Sequence, residues 1–590
     1  MQAQNSEDQT GAYAQAGGAL LQNFLNLFPA GSEAGQIWQS LITAHGREPT
    51  RLVQLQSGYF QQQLALWGGM LARESGQAAS SASAVDKDAG VESIRDKRFA
   101  GRAWRDSGFH DYLRQVYLLN SRFMNDLVET AELTESAKHR LRFYTRQLVD
   151  AMSPANFAAT NPEALQLALD TNGESLHTGI RQLIEDVERG RVSMTDESAF
   201  EVGRNLAVTP GEVVFENALI QLIQYKPATA TVRQRPLLMV PPCINKFYIL
   251  DLQPENSFVR YAVEQGNTVF MVSWRNITDE ELGGISWDDY IADGVLKAVE
   301  VVRAISKSEQ INALGFCVGG TMLSAALAVL RARGEERVAS VTLLATMLDF
   351  TYPGDLGVFI DEASMASREA AIGAGGILSG KELAFVFSAL RANDLVWSYV
   401  VNNYLKGKTP DAFDILHWNA DSTNLPGPMY CWYVRNMYLE NKLREPGKLS
   451  NCGAPLDLGS IRLPTYILAT REDHIVPWKT AYLSTRHLKG DTRFVLGASG
   501  HVAGVINPPA KNRRSYWAND GVSADANDGV SADADAWLAG AAETRGSWWP
   551  HWDAWLKEFS GGERAAPKKL GNAKYKAIEP APGRYVKVRV

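Results

Sequence analysis

The strongest chemical signal in the chain is a cysteine held between two glycines. Cys317 is the centre of the turn Gly315-Phe-Cys-Val-Gly319, which follows an apolar run and precedes an Ala- and Leu-rich stretch. A strand, such a turn and a helix in this order form a nucleophile elbow, here with cysteine in place of serine. The glycines leave room where a Cβ would clash, and the helix, predicted over residues 321–333, favours a thiolate. We therefore predict that Cys317 is a nucleophile, the alternative being a small buried side chain.

An acid and a histidine follow, each in a loop after a predicted strand. Residues 464–470 are rich in β-branched and aromatic side chains and lead into the loop that contains Asp473. Residues 492–496 form the next predicted strand, and its loop contains His501. Nucleophile, aspartate and histidine occur in this chain order in α/β-hydrolases. The spacing therefore predicts a triad of Cys317, Asp473 and His501.

Three other side chains compete with the acid and the histidine. Asp349 ends the apolar run 341–348, and that strand end is also able to reach the histidine. Asp473 is favoured over Asp349 because it follows the strand-to-loop pattern, and Glu472 is a weaker candidate. His474 is adjacent to Asp473, and neighbours on an extended segment point in opposite directions. We therefore interpret His474 as a packing or supporting residue.

A second loop is expected to complete an oxyanion hole. The strand predicted within residues 235–242 ends at two prolines. In this architecture the following loop gives one backbone N–H to the oxyanion, and the residue after the nucleophile gives the other. The predicted donors are Val318 and a residue of the stretch from Cys243 to Asn245, with Cys243 and Ile244 as candidates. The Cys243 thiol has no elbow around it, and we interpret it as structural.

The distribution of strand and helix patterns predicts two domains. Strands alternate with helical segments in the C-terminal two-thirds, which predicts an α/β-hydrolase-type, doubly wound, mostly parallel sheet. The earlier part shows helical periodicity, so we expect a mainly helical domain at 1–204 and a catalytic domain at 205–590. Residues 350–463 lack the β/α alternation and are rich in aromatics. They are expected to form a cap, with the aromatics serving as core, dimer contact or apolar substrate channel.

Composition narrows the classes of function and the compartment. The 590 residues carry a net charge of −7 without a long basic block, which argues against nucleic acid as the main partner. The four cysteines show no pairing pattern, which indicates a reducing, cytoplasmic compartment. There is no stretch of about 18 apolar residues and no secretory signal, so no transmembrane segment is expected. No metal or cofactor site is predicted.

Three further segments stand out from the rest of the sequence. Residues 18–28 are amphipathic enough to lie on a hydrophobic surface, although docking on their own domain is the commoner role. Residues 518–525 are repeated identically at 526–533, which indicates a duplication in an exposed loop. Four tryptophans occur within residues 546–555 and are expected to anchor a C-terminal helix in the core, with His551 as a packing residue.

Taken together, these motifs resemble those of class I polyhydroxyalkanoate synthases. The resemblance covers roughly residues 95–590, and its specificity comes from the joint order of the motifs. The tandem repeat and the poorly matching first ~90 residues depart from the family pattern. The matching motifs are Pro241-Pro-Cys-Ile-Asn-Lys246, Tyr248-Ile-Leu-Asp-Leu252, Gly315-Phe-Cys-Val-Gly-Gly320, Arg471-Glu-Asp-His-Ile-Val-Pro-Trp478 and Gly497-Ala-Ser-Gly-His501.

This resemblance implies polymerisation of (R)-3-hydroxyacyl-CoA, with short-chain units such as 3-hydroxybutyryl-CoA, into a storage polyester with release of CoA. It implies Cys317 as the covalent acyl carrier, His501 as general base and Asp473 as its partner. A cytoplasmic homodimer at the polyester granule surface is also implied, without a cofactor, because CoA belongs to the substrate and product. The alternatives are a cysteine-dependent acyl-CoA thioesterase or polyester hydrolase, and a granule-coating protein that kept only the fold.

Overall fold

A computed structural model describes residues 33–74, 96–519 and 533–590 of the chain. The amphipathic segment 18–28 and most of the tandem repeat 518–533 lie outside these ranges. None of the helices within the ranges has the length and hydropathy needed to cross a bilayer.

The chain divides into two units, each of which consists of two separate segments of the sequence. The first unit ends at Met194, ten residues before the predicted boundary at 204, and it includes a segment from the predicted cap. That segment packs on the last helix of the first unit, where the Tyr404 hydroxyl donates to Asp186 at 2.7 Å. The units are Met1–Met194 with Arg391–Pro410, and Thr195–Leu390 with Asp411–Val590.

Helices make up the regular structure of the first unit, as predicted. The periodic stretch 165–189 is two helices, because Asn172 and Gly173 adopt positive φ values of 50° and 88° and end the first. Two π-helical turns, Asn393–Trp397 and Val400–Leu405, come from the inserted segment. The helices are α1 (Glu33–Arg47), α2 (Pro49–Glu74), α3 (Ala103–Asp106), α4 (Gly108–Thr130), α5 (Glu135–Ala151), α6 (Pro162–Asp170) and α7 (Glu174–Arg189).

An eleven-stranded sheet organises the second unit. Its strands are β1 (Gly211–Glu216), β2 (Ile220–Tyr225), β3 (Leu237–Val240), β4 (Val269–Trp274), β5 (Ile311–Phe316), β6 (Val338–Leu344), β7 (Thr465–Thr470), β8 (Thr492–Gly497), β9 (Ser515–Ala518), β10 (Ala542–Arg545) and β11 (Glu579–Pro580). Their order in the sheet is β10-β9-β8-β7-β6-β5-β3-β4-β2-β1-β11, and the six adjacent strands β8, β7, β6, β5, β3 and β4 are parallel.

Helices cover both faces of this sheet, which explains why its parallel strands are almost entirely buried. One of these helices, which begins at Lys297, is preceded by a π-helical turn, Tyr290–Leu296. The helices are α8 (Phe258–Glu264), α9 (Lys297–Ser306), α10 (Val318–Ala332), α11 (Glu362–Ile372), α12 (Gly380–Leu390), α13 (Asp414–Ala420), α14 (Gly427–Tyr433), α15 (Trp478–His487), α16 (His501–Val505), α17 (Ala534–Ala539) and α18 (Trp549–Glu558). The predicted mostly parallel, doubly wound fold is confirmed.

The tryptophan cluster near the C-terminus is part of the core, as expected. Trp548, Trp549 and Trp552 are at most 1% exposed and pack around Phe258 of α8. His551 lies beside them, with its Nδ1 2.9 Å from the Tyr466 hydroxyl of β7. The cluster therefore fixes α18 on the face of the sheet that carries α8.

The aromatics between β6 and β7 divide into buried and exposed groups. Trp432 and Tyr433 both stack on Trp287, with ring centroids 5.1 Å apart in each case. Phe385 and Phe413 are 76% and 48% exposed. The stacked group is therefore part of the core, whereas Phe385 and Phe413 are individually exposed.

A buried carboxyl group ties the segment before β1 to the start of α8. Asp251 Oδ1 accepts hydrogen bonds from the hydroxyls of Thr209, at 2.5 Å, and Ser257, at 2.6 Å. Burial raises the pKa of Asp251 to about 6, although these two hydrogen bonds oppose the shift. The fold therefore favours the neutral acid more than the unfolded chain does.

A prediction about pH follows for Asp251. Its folded pKa lies above the unfolded value of roughly 3.9, so its contribution to stability is present below pH ~3.9 and is lost as pH rises towards 6. Asp251→Asn keeps an acceptor for both hydroxyls and does not ionise. We expect the melting temperature of the variant to rise relative to wild type between pH 4 and 7. A constant difference across this range, measured by differential scanning fluorimetry, would contradict the assignment.

Candidate active site

Cys317 lies in a sharp turn between β5 and α10. Its backbone has φ 54° and ψ −128°, a conformation that L-residues adopt rarely and at a cost in energy. Its N–H donates to Leu344 O at 2.9 Å, which ties the turn to the end of β6. The helix begins at Val318, three residues earlier than predicted, so its positive end lies directly beside the sulfur.

Close backbone contacts enforce this turn. A Cβ on Gly315 would lie 2.4 Å from the Gly320 Cα, and one on Gly319 would lie 2.3 Å from the Val240 carbonyl oxygen. Real Cβ atoms do not approach other atoms so closely. The two glycines therefore allow α10 to start against both its own strand and the end of β3.

Asp473 and His501 come together at the carboxyl ends of β7 and β8. The His501 Nδ1 is 2.7 Å from Asp473 Oδ2, and both side chains are buried. Asp473 Oδ1 accepts from the N–H groups of Ile475 and Val476, at 2.9 and 2.8 Å, and Thr470 donates to Oδ2. These bonds hold the carboxylate in one orientation and fix His501 with its Nδ1 towards the acid.

The Cys317 sulfur lies near the His501 ring, close enough for its charge to act on the imidazole. Burial lowers the pKa of His501, but the charge of Asp473 and a negative charge on Cys317 outweigh it and raise the pKa to about 10. The site therefore favours an imidazolium whenever Cys317 is a thiolate. The predicted residues Cys317, Asp473 and His501 are thus in one connected group.

The rival acid, Asp349, belongs to a different pair. Its Oδ2 is 2.9 Å from His487 Nε2, and its Oδ1 accepts from Asn441 and Thr351. Burial raises the pKa of Asp349, but these hydrogen bonds outweigh it and hold the pKa well below its usual range. This Asp–His pair is therefore separate from that of Asp473 and His501.

The remaining competitors lie at the margin of the site. Glu472 is exposed, and its N–H donates to Ser499 O. His474 is half-buried, with its carbonyl oxygen against Gly354.

The predicted oxyanion donors lie beside the elbow. Val318 is the first residue of α10, so its N–H has no acceptor within the helix. The contact of Gly319 with Val240 brings the loop after β3 next to it. In that loop neither the Cys243 N–H nor the Ile244 N–H has an acceptor among the described residues. Both candidates therefore keep an available N–H group.

Cys243 itself is buried and remains a thiol. Burial raises its pKa, and the nearby charge of Cys317 raises it further. A second nucleophile at this position is thus disfavoured.

Three aromatic residues at the site were not assigned from the sequence. Phe316, within the elbow, stacks on the His501 ring with centroids 5.5 Å apart. Burial raises the pKa values of Tyr433 and Tyr438, and the charge of Cys317 contributes in both cases. The aromatic content of the cap was the available signal, but no spacing rule singled out these positions.

The described residues contain no cluster of His, Cys, Asp and Glu side chains placed to hold a metal ion. The side chains brought together are those of a cysteine nucleophile, a histidine and a carboxylate. Such a group performs acyl transfer through a covalent intermediate.

Comparison with known protein families agrees with this chemistry. Residues 95–262 match a family model for the poly-beta-hydroxybutyrate polymerase (PhaC) N-terminus, and residues 236–508 match the alpha/beta hydrolase fold. The chain is 56% identical over 546 residues to the poly(3-hydroxyalkanoate) polymerase subunit PhaC of Cupriavidus necator, covering 92% of this chain and 89% of that one. It is 40% identical over 563 residues to the Rhizobium meliloti protein of the same name, covering 95% and 88%. A solved bromoperoxidase from Bacillus anthracis matches 50% of this chain and 92% of its own, at 14% identity and a TM-score of 0.30.

The two Asp–His pairs give a matched test of the site. Asp473→Asn is expected to lower kcat by roughly 10³- to 10⁴-fold, because the amide no longer holds the imidazole in the required tautomer. Asp349→Asn removes the buried carboxylate of the other pair, whose histidine is more exposed (22% against 8% for the side chain), and is expected to change kcat less than about tenfold. Steady-state release of CoA measures both, and equal losses in the two variants would contradict the assignment of Asp473.

The close approach at the elbow gives a second test. Gly319→Ala is expected to destabilise the protein by at least about 2 kcal/mol, since its Cβ would overlap Val240 O. Gly284→Ala is the control, because Gly284 is exposed and its Cβ would meet open space. The two melting temperatures, compared with that of wild type, measure the difference. Equal stability of both variants would show that the elbow tolerates a side chain at 319.

Proposed function

The chain belongs to the poly(3-hydroxyalkanoate) polymerase family, and from this membership we propose that it builds polyester through a thioester on Cys317, with His501 as general base and Asp473 as its partner. The enzyme is a transferase of polyhydroxyalkanoate synthesis, with acyl-CoA as substrate and polyester as product. The observation that carries the mechanistic proposal is the connected group of Cys317, His501 and Asp473 at the carboxyl edge of the sheet.

The first step of the proposed mechanism loads the enzyme. The Cys317 thiolate attacks the acyl-CoA carbonyl, the new C–S bond forms, and the bond from carbon to the CoA sulfur breaks. The His501 imidazolium gives its proton to the departing CoA thiolate. The Val318 N–H and the N–H of Cys243 or Ile244 stabilise the oxyanion between these events, and a donor of this kind typically contributes about 3 kcal/mol.

The second step makes the ester bond. His501, now neutral, takes the proton from the 3-hydroxyl of another hydroxyacyl-CoA as that oxygen attacks the thioester. The ester forms, the bond to sulfur breaks, and the sulfur leaves as a thiolate beside the His501 imidazolium, which is the state from which loading starts. Attack of Cys317 on the CoA thioester of the lengthened chain then releases one CoA per added unit. General-base assistance of this type typically contributes about 10²- to 10⁴-fold.

A thiol suits repeated transfer better than a hydroxyl. The exchange of one thioester for another leaves the acyl group activated, whereas a serine ester would lose part of that activation. Water must be excluded for the same reason, and buried aromatics of the cap, Tyr433 and Tyr438, support this role. The hydrolase alternative, in which water is the acceptor, is not favoured by the relatives, which are named polymerases.

We extend the proposal to the substrate and the setting of the enzyme. The substrate is a short-chain (R)-3-hydroxyacyl-CoA, and the enzyme acts in the cytoplasm as a homodimer at the granule surface. These statements rest on the family resemblance.

Assay of CoA release from (R)-3-hydroxybutyryl-CoA tests the nucleophile. Wild type is expected to release CoA with insoluble polyester, and Cys317→Ala is expected to lose at least about 10⁴-fold in rate, because no acyl carrier remains. Cys452→Ala is the matched control, since Cys452 is also half-buried. Release of CoA with only free 3-hydroxybutyrate would indicate a thioesterase, and activity in Cys317→Ala would exclude Cys317 as the carrier.

A further inference from the structure

A separate cavity of about 210 Å³ lies at the opposite edge of the sheet from Cys317. Ser306 and Lys307 line it just before β5 begins, and Thr268 lines it just before β4. Cys317 follows the other end of β5, whose six residues span about 20 Å. The cavity is therefore distinct from the acyl-transfer site.

Three cationic side chains line the cavity, and its lining contains no Asp or Glu. Lys307, Arg564 and Lys569 make no salt bridge with any described residue. Burial lowers the pKa of Arg564, as expected for a guanidinium without a carboxylate partner. The positive charge around the cavity is thus not neutralised by the protein.

Three of the last four carbonyl groups of α9, which would repel an anion, already have donors. Arg564 Nη1 donates to Ser306 O at 2.6 Å, and Asn572 Nδ2 donates to Ala304 O at 2.9 Å. Arg303 O accepts from the backbone N–H of Lys307. The Ile305 carbonyl is the one of these four that accepts no hydrogen bond from a described residue, so most of the negative end of the helix is covered.

Buried polar groups complete the lining. Thr268 is 2% exposed, and its hydroxyl has no hydrogen-bond partner among the described residues. Gln224 is equally buried, and its Oε1 accepts from Gly571 N at 2.7 Å, which leaves its Nε2 as a donor. A buried hydroxyl without a partner costs free energy unless a ligand or water satisfies it.

We propose that this cavity binds a phosphate group. A phosphate oxyanion matches a lining of cations and hydrogen-bond donors without carboxylates. The volume is below the roughly 300–1,000 Å³ of sites for drug-sized ligands, which fits a phosphate and its nearest atoms. The phosphate is either free in solution or the terminal group of a nucleotide that extends outwards.

Isothermal titration calorimetry on the full chain tests the proposal, with inorganic phosphate and with adenosine monophosphate as probes. Sodium chloride holds the ionic strength constant, so screening alone gives no signal. Lys307→Gln/Lys569→Gln is expected to weaken phosphate binding about tenfold or more, as loss of charge-assisted hydrogen bonds does. Thr268→Val, nearly the same in shape, is expected to weaken it about threefold or more.

The control is Lys568→Gln/Lys576→Gln, which removes two exposed lysines from the same C-terminal segment but outside the cavity lining. Its phosphate affinity is expected to equal that of wild type, and CoA release in all variants reports whether they are folded. If both probes bind and the cavity substitutions weaken both to the same extent, the ligand is a nucleotide-borne phosphate. If only inorganic phosphate binds, the ligand is the free ion. No binding to wild type, or equal binding by the two double variants, would overturn the proposal.

Discussion

The contact between the start of α10 and the end of β3 is the constraint on which the site depends. Gly315 and Gly319 allow backbone atoms to approach so closely that no side chain fits between them. The strained Cys317 backbone is held by that packing and by the bond from its N–H to Leu344. The same contact brings the loop after β3 beside Val318, so the nucleophile and the candidate oxyanion donors lie next to each other.

Two Asp–His pairs show how much a carboxylate's surroundings decide its role. Asp473 is held by backbone N–H groups on one oxygen and by His501 on the other, with Cys317 beyond the ring. Asp349 is held by His487 and by the side chains of Asn441 and Thr351, with no nucleophile beyond. Both pairs are chemically alike, and only the position of the first one places it next to a thiol.

Local patterns predicted most of the fold and the central residues of the site. The elbow, the parallel strands and the loops with Asp473 and His501 each depend on short stretches, where glycines and β-branched runs determine the conformation. The pairing of Asp349 with His487 was not predictable, because 138 residues separate the two. Nor was the packing of residues 391–410 on α7, which depends on Gly179 giving room to the Tyr404 carbonyl. Contacts between residues so far apart in the chain leave no periodic pattern in the sequence.

Because residues 391–410 belong to the helical unit, this unit is completed late while the chain is being synthesised. A ribosome completes Cys317 and four of the six parallel strands, β3 to β6, well before it reaches Pro410. The helical unit, although N-terminal, therefore lacks part of its packing until the chain is about two-thirds made. A fragment that stops at residue 194 would leave the α7 face around Gly179 uncovered, so this unit is not a separable N-terminal module.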